Sequence, residues 1–363
     1  MKRVKVRELG LTVGRLPTGS KNCITDVNGV CVGQVTLNYP IDDESEEWAC
    51  TGVTAILPHG GNIFREKVIG TSYVFNGFGK STGLVQVNEL GQIESPIMLT
   101  NTFAVPAVTQ GTLQYLLEQN LEIGETTGTV NIVVGECNDS YLNSIRRLPI
   151  QPEHALEALR LASEDQVVEG VVGAGTGMTC FGYKGGIGCS SRVIEVEDSE
   201  ETYTLGCLVL SNFGVKEELL FYNRFIKADT PEVTSSEQID STTDGSIIMV
   251  LATDAPLNER QLHRIAKRCG IGLGRTGSHM SHGSGDIVIA FSTAQTINHF
   301  TNSHKEHILQ LREDKNMMNT LFTAAAEATE EAILNSLSCA MTTNGRKERV
   351  VTELPYNLLK THN

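Results

Sequence analysis

Ser246 stands where a polar stretch gives way to an apolar one. Residues 228–245 (ADTPEVTSSEQIDSTTDG) are acidic, rich in Ser and Thr and poor in large apolar side chains; Ile247-Ile-Met-Val-Leu-Ala then reads as a strand buried on both faces. Asp244-Gly245-Ser246 is open to two readings. One is a turn opening that strand. The other is a nucleophile exposed by cutting the chain before it, because a terminal serine carries an α-amine with an ordinary pKa of ~7.7 to 8.0, able to accept or relay its own hydroxyl proton. Ser284 and Asp286 form a second candidate unit. They are two residues apart between Gly283 and Ile287, so in extended chain both side chains point to one face, where an Asp linked through a hydroxyl can orient a nucleophile on a neighbouring strand. The alternative is a loop Asp bonded to local backbone.

Other spacings carry less. Gly173-Ala-Gly-Thr-Gly-Met has G-x-G-x-G spacing, not that of a dinucleotide loop, and no helix-like segment follows. It offers either a wall of backbone N–H groups near a reacting centre or a set of turns between strands. His279-x-x-His282 and His304-x-x-His307 have the spacing of ligand pairs but lack the Glu of H-E-x-x-H, and the nine cysteines include no C-x-x-C. No metal and no cofactor is expected, and the cysteines read as reduced packing residues.

The elements that must position these residues alternate between strand and helix. Asn22 to Leu37 mixes short β-branched runs with turn residues, and Asn28-Gly29 predicts a hairpin. A helix is expected over Pro106–Glu118, a strand over Thr129–Val134 and a helix from Pro152 with Ala155, Leu156, Leu159 and Ala162 on one side. Lys216–Lys227 is helix-like. Asn258 and Gln261 cap a helix whose face is Leu262, Ile265, Ala266 and Cys269, ended by Gly270. Ile287–Phe291 is a second buried strand and Asn316–Leu337 a long helix, so a layered α/β fold is favoured. At ~150 residues per domain, 363 residues make two domains or one large one. The net charge of −14, with no basic patch, argues against nucleic acid. The longest apolar run, Ile247 to Ala252, is far short of the ~20 residues of a membrane span. Without an apolar segment behind the basic N-terminus, the chain reads as cytoplasmic.

Several long motifs, in order, carry a resemblance. They are Pro17-Thr-Gly-Ser-Lys-Asn-Cys-Ile-Thr-Asp-Val, Asn76-Gly-Phe-Gly-Lys-Ser-Thr-Gly-Leu, Pro96-Ile-Met-Leu-Thr-Asn-Thr, Gly173 to Arg192, Ser211-Asn-Phe-Gly, the segment from Gly245 to Leu257, and Gly274-Arg-Thr-Gly through Gly283-Ser-Gly-Asp. Together they span nearly the whole chain, which resembles the DmpA-type aminopeptidases: the L-aminopeptidase/D-amidase/D-esterases and β-peptidyl aminopeptidases, self-cleaving serine hydrolases. The resemblance implies one four-layer αββα sandwich, similar to the N-terminal-nucleophile hydrolases but differently connected, usually assembled as a homotetramer. It also implies a precursor cut into 1–245 and 246–363, between Gly245 and Ser246.

By position, Ser246 would be the nucleophile, Ser284 and Asp286 its partners, Asn212 a donor to the oxyanion and Glu136 the carboxylate that holds a substrate's ammonium. Some relatives place an aromatic just after that Glu; here Asn138 takes the near position and Tyr141 follows three residues on, and both are expected at the substrate. Gln34 replaces a His of many relatives. The implied activity is release of N-terminal residues from short peptides, amides or esters. An acyltransferase of the ornithine acetyltransferase type is disfavoured because that architecture uses Thr where Ser246 stands. An uncleaved binding protein is disfavoured by intact Gly245, Ser246, Ser284 and Asp286.

Overall fold

A computed structural model describes residues 3–42, 46–197, 199–219 and 245–359. Its strands in chain order are β1 (Cys31–Pro40), β2 (Trp48–Leu57), β3 (Glu66–Gly77), β4 (Gln92–Ile93), β5 (Ile97–Asn101), β6 (Val133–Cys137), β7 (Thr179–Cys180), β8 (Tyr183–Lys184), β9 (Gly186–Glu195), β10 (Thr202–Asn212), β11 (Ser246–Thr253), β12 (Gly285–Asn298), β13 (Thr343–Asn344) and β14 (Val350–Val351). The α-helices are α1 (Leu84–Leu90), α2 (Val105–Gln119), α3 (Pro152–Arg160), α4 (Glu259–Ala266), α5 (Cys269–Thr276) and α6 (Met317–Ser338).

Two sheets stack face to face. The first has the order β1-β2-β5-β6 and the second β4-β3-β12-β11-β10-β9, with β5/β6 and β11/β12 the parallel pairs. Helices α2 and α3 cover the first sheet and α4, α5 and α6 the second, which makes four layers, αββα. The continuous apolar run of β11 follows from this. Ile248, Val250 and Ala252 face the first sheet while Ile247, Met249 and Leu251 face the helices, so neither side of the strand meets water. β12 shares that fate only to Ser292; beyond it the residues alternate between half-buried and exposed.

Some local expectations shift. Gly29 does take a left-handed turn (φ 82°), but it leads from a 3₁₀ turn, Ile24–Asp26, into β1. The Asp26 carboxylate accepts the N–H groups of Lys21 and Cys23 (2.9 and 3.0 Å), which closes a local turn where a hairpin would need a strand. The strand expected at Thr129–Val134 starts at Val133 and runs on to Cys137, because its parallel ladder with β5 begins there. Gly270 does not stop the fourth helix. That helix ends at Ala266, and Gly270 lies inside α5, which closes at the left-handed Gly277. The helices over 105–119, from Pro152 and over 317–338 form as expected. Of the helix-like 216–227, Lys216–Glu218 is a 3₁₀ turn; residues 220–227, with 228–244 of the polar stretch, lie outside the described residues.

A buried charge cluster ties α6 to the second sheet. Arg192 of β9 is fully buried, bonded to Glu327 (3.2 Å) and Glu331 (2.8 Å) of α6, and it also donates to the carbonyls of Ser191, Val13 and Glu327. Arg7 reaches Glu331 from the N-terminal segment at 2.7 Å. Burial favours the acid form of Glu331, yet the bonds from Arg7 and the Arg192 charge hold its carboxyl below the usual range. Removing one partner of such a cluster strands the others in a dry interior. Arg192→Met is therefore expected to lower the unfolding free energy by roughly 3–5 kcal/mol, read as a fall in the urea midpoint at unchanged slope; a midpoint within error of wild type would refute this.

Candidate active site

Parallel strands begin at the same edge, so β11 and β12 bring Ser246 and the Ser284–Asp286 segment together. The antiparallel β10 and β3 end at that edge. The register sets Ser246 opposite Asn212 on one side and Gly285 on the other. Ser246 is buried, and its Oγ accepts the Gly285 N–H at 3.2 Å. The same N–H reaches the Gly245 carbonyl at 3.2 Å. One donor thus serves both the hydroxyl oxygen and the neighbouring carbonyl that the hydroxyl would attack. No side chain fits at 285: a Cβ would sit 2.8 Å from the Phe78 carbonyl oxygen and 3.3 Å from Ser246 Oγ.

Ser284 and Asp286 form one hydrogen-bonded unit, as their spacing predicts. The Ser284 hydroxyl donates to Asp286 Oδ1 at 2.7 Å, and Asp286 Oδ2 is buried with no partner among the described residues. Burial pushes the Asp286 carboxyl up to about 6, with the Ser284 bond opposing. The loop before them is pinned by Asn76 of β3, whose Nδ2 donates to the carbonyls of Ser281, His282 and Ser284.

Asn212 is clamped at the end of β10. Its Oδ1 accepts the Thr179 N–H at 2.8 Å and its Nδ2 donates to the Asn138 carbonyl at 3.0 Å. A carboxamide nitrogen carries two hydrogens, so this leaves one for an oxyanion. The glycine-rich stretch acts here, and not as a wall of the cleft. It wraps the fully buried Lys184, whose Nζ donates to the carbonyls of Gly175, Met178 and Gly185 (3.1, 2.7 and 2.8 Å), and so holds Thr179 against Asn212. Burial brings the Lys184 ammonium down to about 8, opposed by Cys50 and Asp139.

Glu136 arrives from the first sheet, near the end of β6. Oε1 accepts the Lys80 N–H at 2.7 Å and Oε2 accepts the Thr102 hydroxyl. An ionised carboxylate has about four acceptor positions, so capacity remains for a cation. Glu136, Asn138 and Ser246 line one cleft of about 560 Å³, with Phe78, Lys80, Phe103, Arg146 and Arg346 also on its wall.

Tyr141 does not reach this cleft. After Cys137 the chain closes a turn, with the N–H groups of Leu142 and Asn143 bonded to the Asp139 carbonyl, and Tyr141 packs beside Trp48, Cys50, Leu142 and Val351. The aromatics at the cleft are Phe78 and Phe103; neither carries a chemical signal in the sequence, although Phe78 and Thr102 fall within the motifs that carry the resemblance. Gln34 lies in β1 and donates to the Val168 carbonyl. Among the described residues no group of three or more His, Cys, Asp or Glu is placed to hold a metal ion.

With this geometry in view, the model of Peptidase family S58 matches residues 22–351. The beta-peptidyl aminopeptidase BapA of Sphingosinicella microcystinivorans is 38% identical over 98% of this chain and 91% of its own. A solved protein of Pyrococcus horikoshii OT3 is 47% identical, with a TM-score of 0.87 and 98% of each chain covered. The L-aminopeptidase D-Ala-esterase/amidase of Ochrobactrum anthropi, described as a prototype of the serine aminopeptidases and a new variant of the Ntn hydrolase fold, is 32% identical. Its TM-score is 0.85, over 98% of this chain and 96% of its own.

The Asp286 environment predicts a pH dependence. The carboxylate is the form that can accept a proton, and it is lost as pH falls through about 6. The acid limb of kcat/KM should fall there, approaching tenfold per unit below it. Ser284→Ala removes the one bond favouring the carboxylate, so it should move the Asp286 titration to higher pH, observable by ¹³C NMR of labelled carboxyls. A downward shift would refute the assignment.

Proposed function

The chain belongs to peptidase family S58 and is an aminopeptidase; from that premise we propose that it activates itself by cutting between Gly245 and Ser246 and then removes N-terminal residues from short peptides, amides or esters through an acyl-enzyme. The observation that carries the reading is that Ser246 from one sheet and Glu136 from the other face a single cleft.

In the self-cleavage, Ser246 Oγ attacks the Gly245 carbonyl carbon, the Gly245–Ser246 C–N bond breaks as an ester forms, and water hydrolyses the ester. The products are a Gly245 carboxylate and a free Ser246 α-amine. In turnover the hydroxyl proton passes to that amine, with Ser284 and Asp286 as its partners, and then to the leaving amine; water releases the acyl group. The Gly285 N–H and the remaining Asn212 N–H stabilise the oxyanion. Glu136 pairs the substrate ammonium, and exopeptidase specificity follows, because an internal peptide bond has no such cation to offer.

Intact mass of purified protein is expected to give two chains, 1–245 and 246–363, without added protease, and Ser246→Ala should remain whole. Wild type that stays a single chain after prolonged incubation would overturn self-cleavage.

The Glu136 role has its own test. Stranding either member of a desolvated ion pair costs roughly 3–5 kcal/mol, so Glu136→Gln or acetylation of the substrate amine should each cut kcat/KM by ~100-fold or more. In the Glu136→Gln enzyme the acetylation penalty should shrink, since no carboxylate is left unpaired. Equal hydrolysis of free and acetylated substrates by wild type would refute the ammonium anchor.

A further inference from the structure

The cleft holding Ser246 is charged against the trend of the molecule. The chain has 29 Lys and Arg against 43 Asp and Glu, yet the charged residues on the cleft wall are Glu136 with Lys80, Arg146 and Arg346. Lys80 is engaged: its backbone N–H serves Glu136, and its Nζ lies 4.7 Å from the centre of the Phe78 ring. The two arginines are not. Among the described residues neither guanidinium has an ion-pair partner, and Nε of Arg346 is buried without a hydrogen bond. Their neighbours differ. Arg147 pairs with Asp42 and Glu47, and Arg349 donates to the Tyr141 carbonyl at 3.0 Å and lies over the Tyr141 ring.

The chain goes to some length to hold Arg346 there. It opens the turn joining β13 to β14, and that turn is fastened to the segment just before Arg146: the Arg346 N–H donates to the Leu142 carbonyl at 2.8 Å. Residue 345 has to be glycine, because a Cβ would meet the Leu142 oxygen at 2.4 Å. The next two residues, Lys347 and Glu348, both take left-handed backbone (φ 55° and 54°), a conformation that non-glycine residues adopt at a cost. Two unpaired cations bordering one cleft, one of them on a strained and clamped turn, form a site that lacks its anion. A planar carboxylate suits guanidinium donors better than a point charge does.

We propose that Arg146 and Arg346 receive the C-terminal carboxylate of the residue released by cleavage, so that the preferred substrates are very short peptides with both termini free. The inference rests on the aminopeptidase reading above, in which Glu136 holds the ammonium and Ser246 attacks the carbonyl; what remains of a dipeptide beyond that carbonyl is its leaving residue and terminal carboxylate. The cleft recognises the two opposite charges at the ends of one small molecule, and a longer peptide or a C-terminal amide forfeits the second contact.

The test compares L-α- and β-alanyl dipeptides with their C-terminal amides on the processed enzyme. Charge-assisted hydrogen bonds to both arginines should favour the acids by about tenfold or more in kcat/KM, carried mainly by KM. In Arg146→Gln, Arg346→Gln and the double variant the acid-to-amide ratio should fall towards one, and added salt should lower it in wild type. A wild-type ratio near one, or a ratio that survives in the double variant, would overturn the proposal. So would an arginine dependence confined to amides that carry an acidic side chain, which would assign these arginines to a side chain instead. Binding is read separately on the processed enzyme by inhibition with a reduced (CH2–NH) dipeptide isostere, whose free acid should bind more tightly than its amide and lose that advantage on Arg346→Gln. If acids and amides alike resist hydrolysis, the proposed release of N-terminal residues from short peptides and amides fails. If they are hydrolysed at equal rates, only the carboxylate site fails.

Discussion

The Gly285 N–H lies 3.2 Å from both the Gly245 carbonyl and Ser246 Oγ because β11 and β12 run parallel and start together. Parallel pairing is the less common arrangement, and in the second sheet it occurs only here among the described strands. An antiparallel partner would have begun at the far edge of the sheet and left Ser246 beside a strand end. As built, two strand beginnings and two strand ends converge, and Ser246, Ser284, Asp286 and Asn212 are brought to one edge of the second sheet by the pairing of its strands.

Register at this edge is only as firm as the layers that press on it. β11 is apolar on both faces, so a one-residue slip would still bury apolar side chains, and hydrophobicity alone would not choose the register. Polar contacts choose it. Asn212 is held on both ends of its carboxamide, Asn76 pins the loop before Ser284, and Lys184 ties three carbonyls of the stretch that carries Thr179. On the opposite side of the second sheet, Arg192 and the α6 glutamates do the same for β9 and α6. Each is costly to bury and sharply dependent on geometry, and that dependence makes it useful for specifying one arrangement among several apolar ones.

What could be read in the sequence follows the same division. Ser284 and Asp286 were legible because side chains in a strand alternate, so two residues apart means one face; the 2.7 Å bond between them is that rule in space. Ser246 was legible because a polar run stops abruptly at a buried strand. Glu136 was legible only through resemblance, since nothing local separates it from a solvated turn carboxylate. Tyr141 was misplaced because its distance from Glu136 along the chain ignores the turn at Asp139, after which the ring packs on Cys50, Leu142 and Val351. Gly270 misled because a glycine after an amphipathic run looks like a stop, although here the helix had already ended and another had begun. Phe103, Arg146 and Arg346 carry no local signal at all: they come from three separate segments and meet only when the layers close.

The continuous chain also constrains how the proton must move if Ser246 cuts its own peptide bond. Before the cut its nitrogen is an amide, within the strand pairing of β10 with β11, and cannot act as a base. One residue along the register, opposite Ile247, lies Asp286, which accepts the Ser284 hydroxyl, and with its carboxyl pushed up to about 6 it is ionised at neutral pH yet basic enough to take a proton. The α-amine exists only afterwards. If that cut takes place, Ser284 and Asp286 would have to serve it without the α-amine, and a carboxyl raised towards neutrality suits that task.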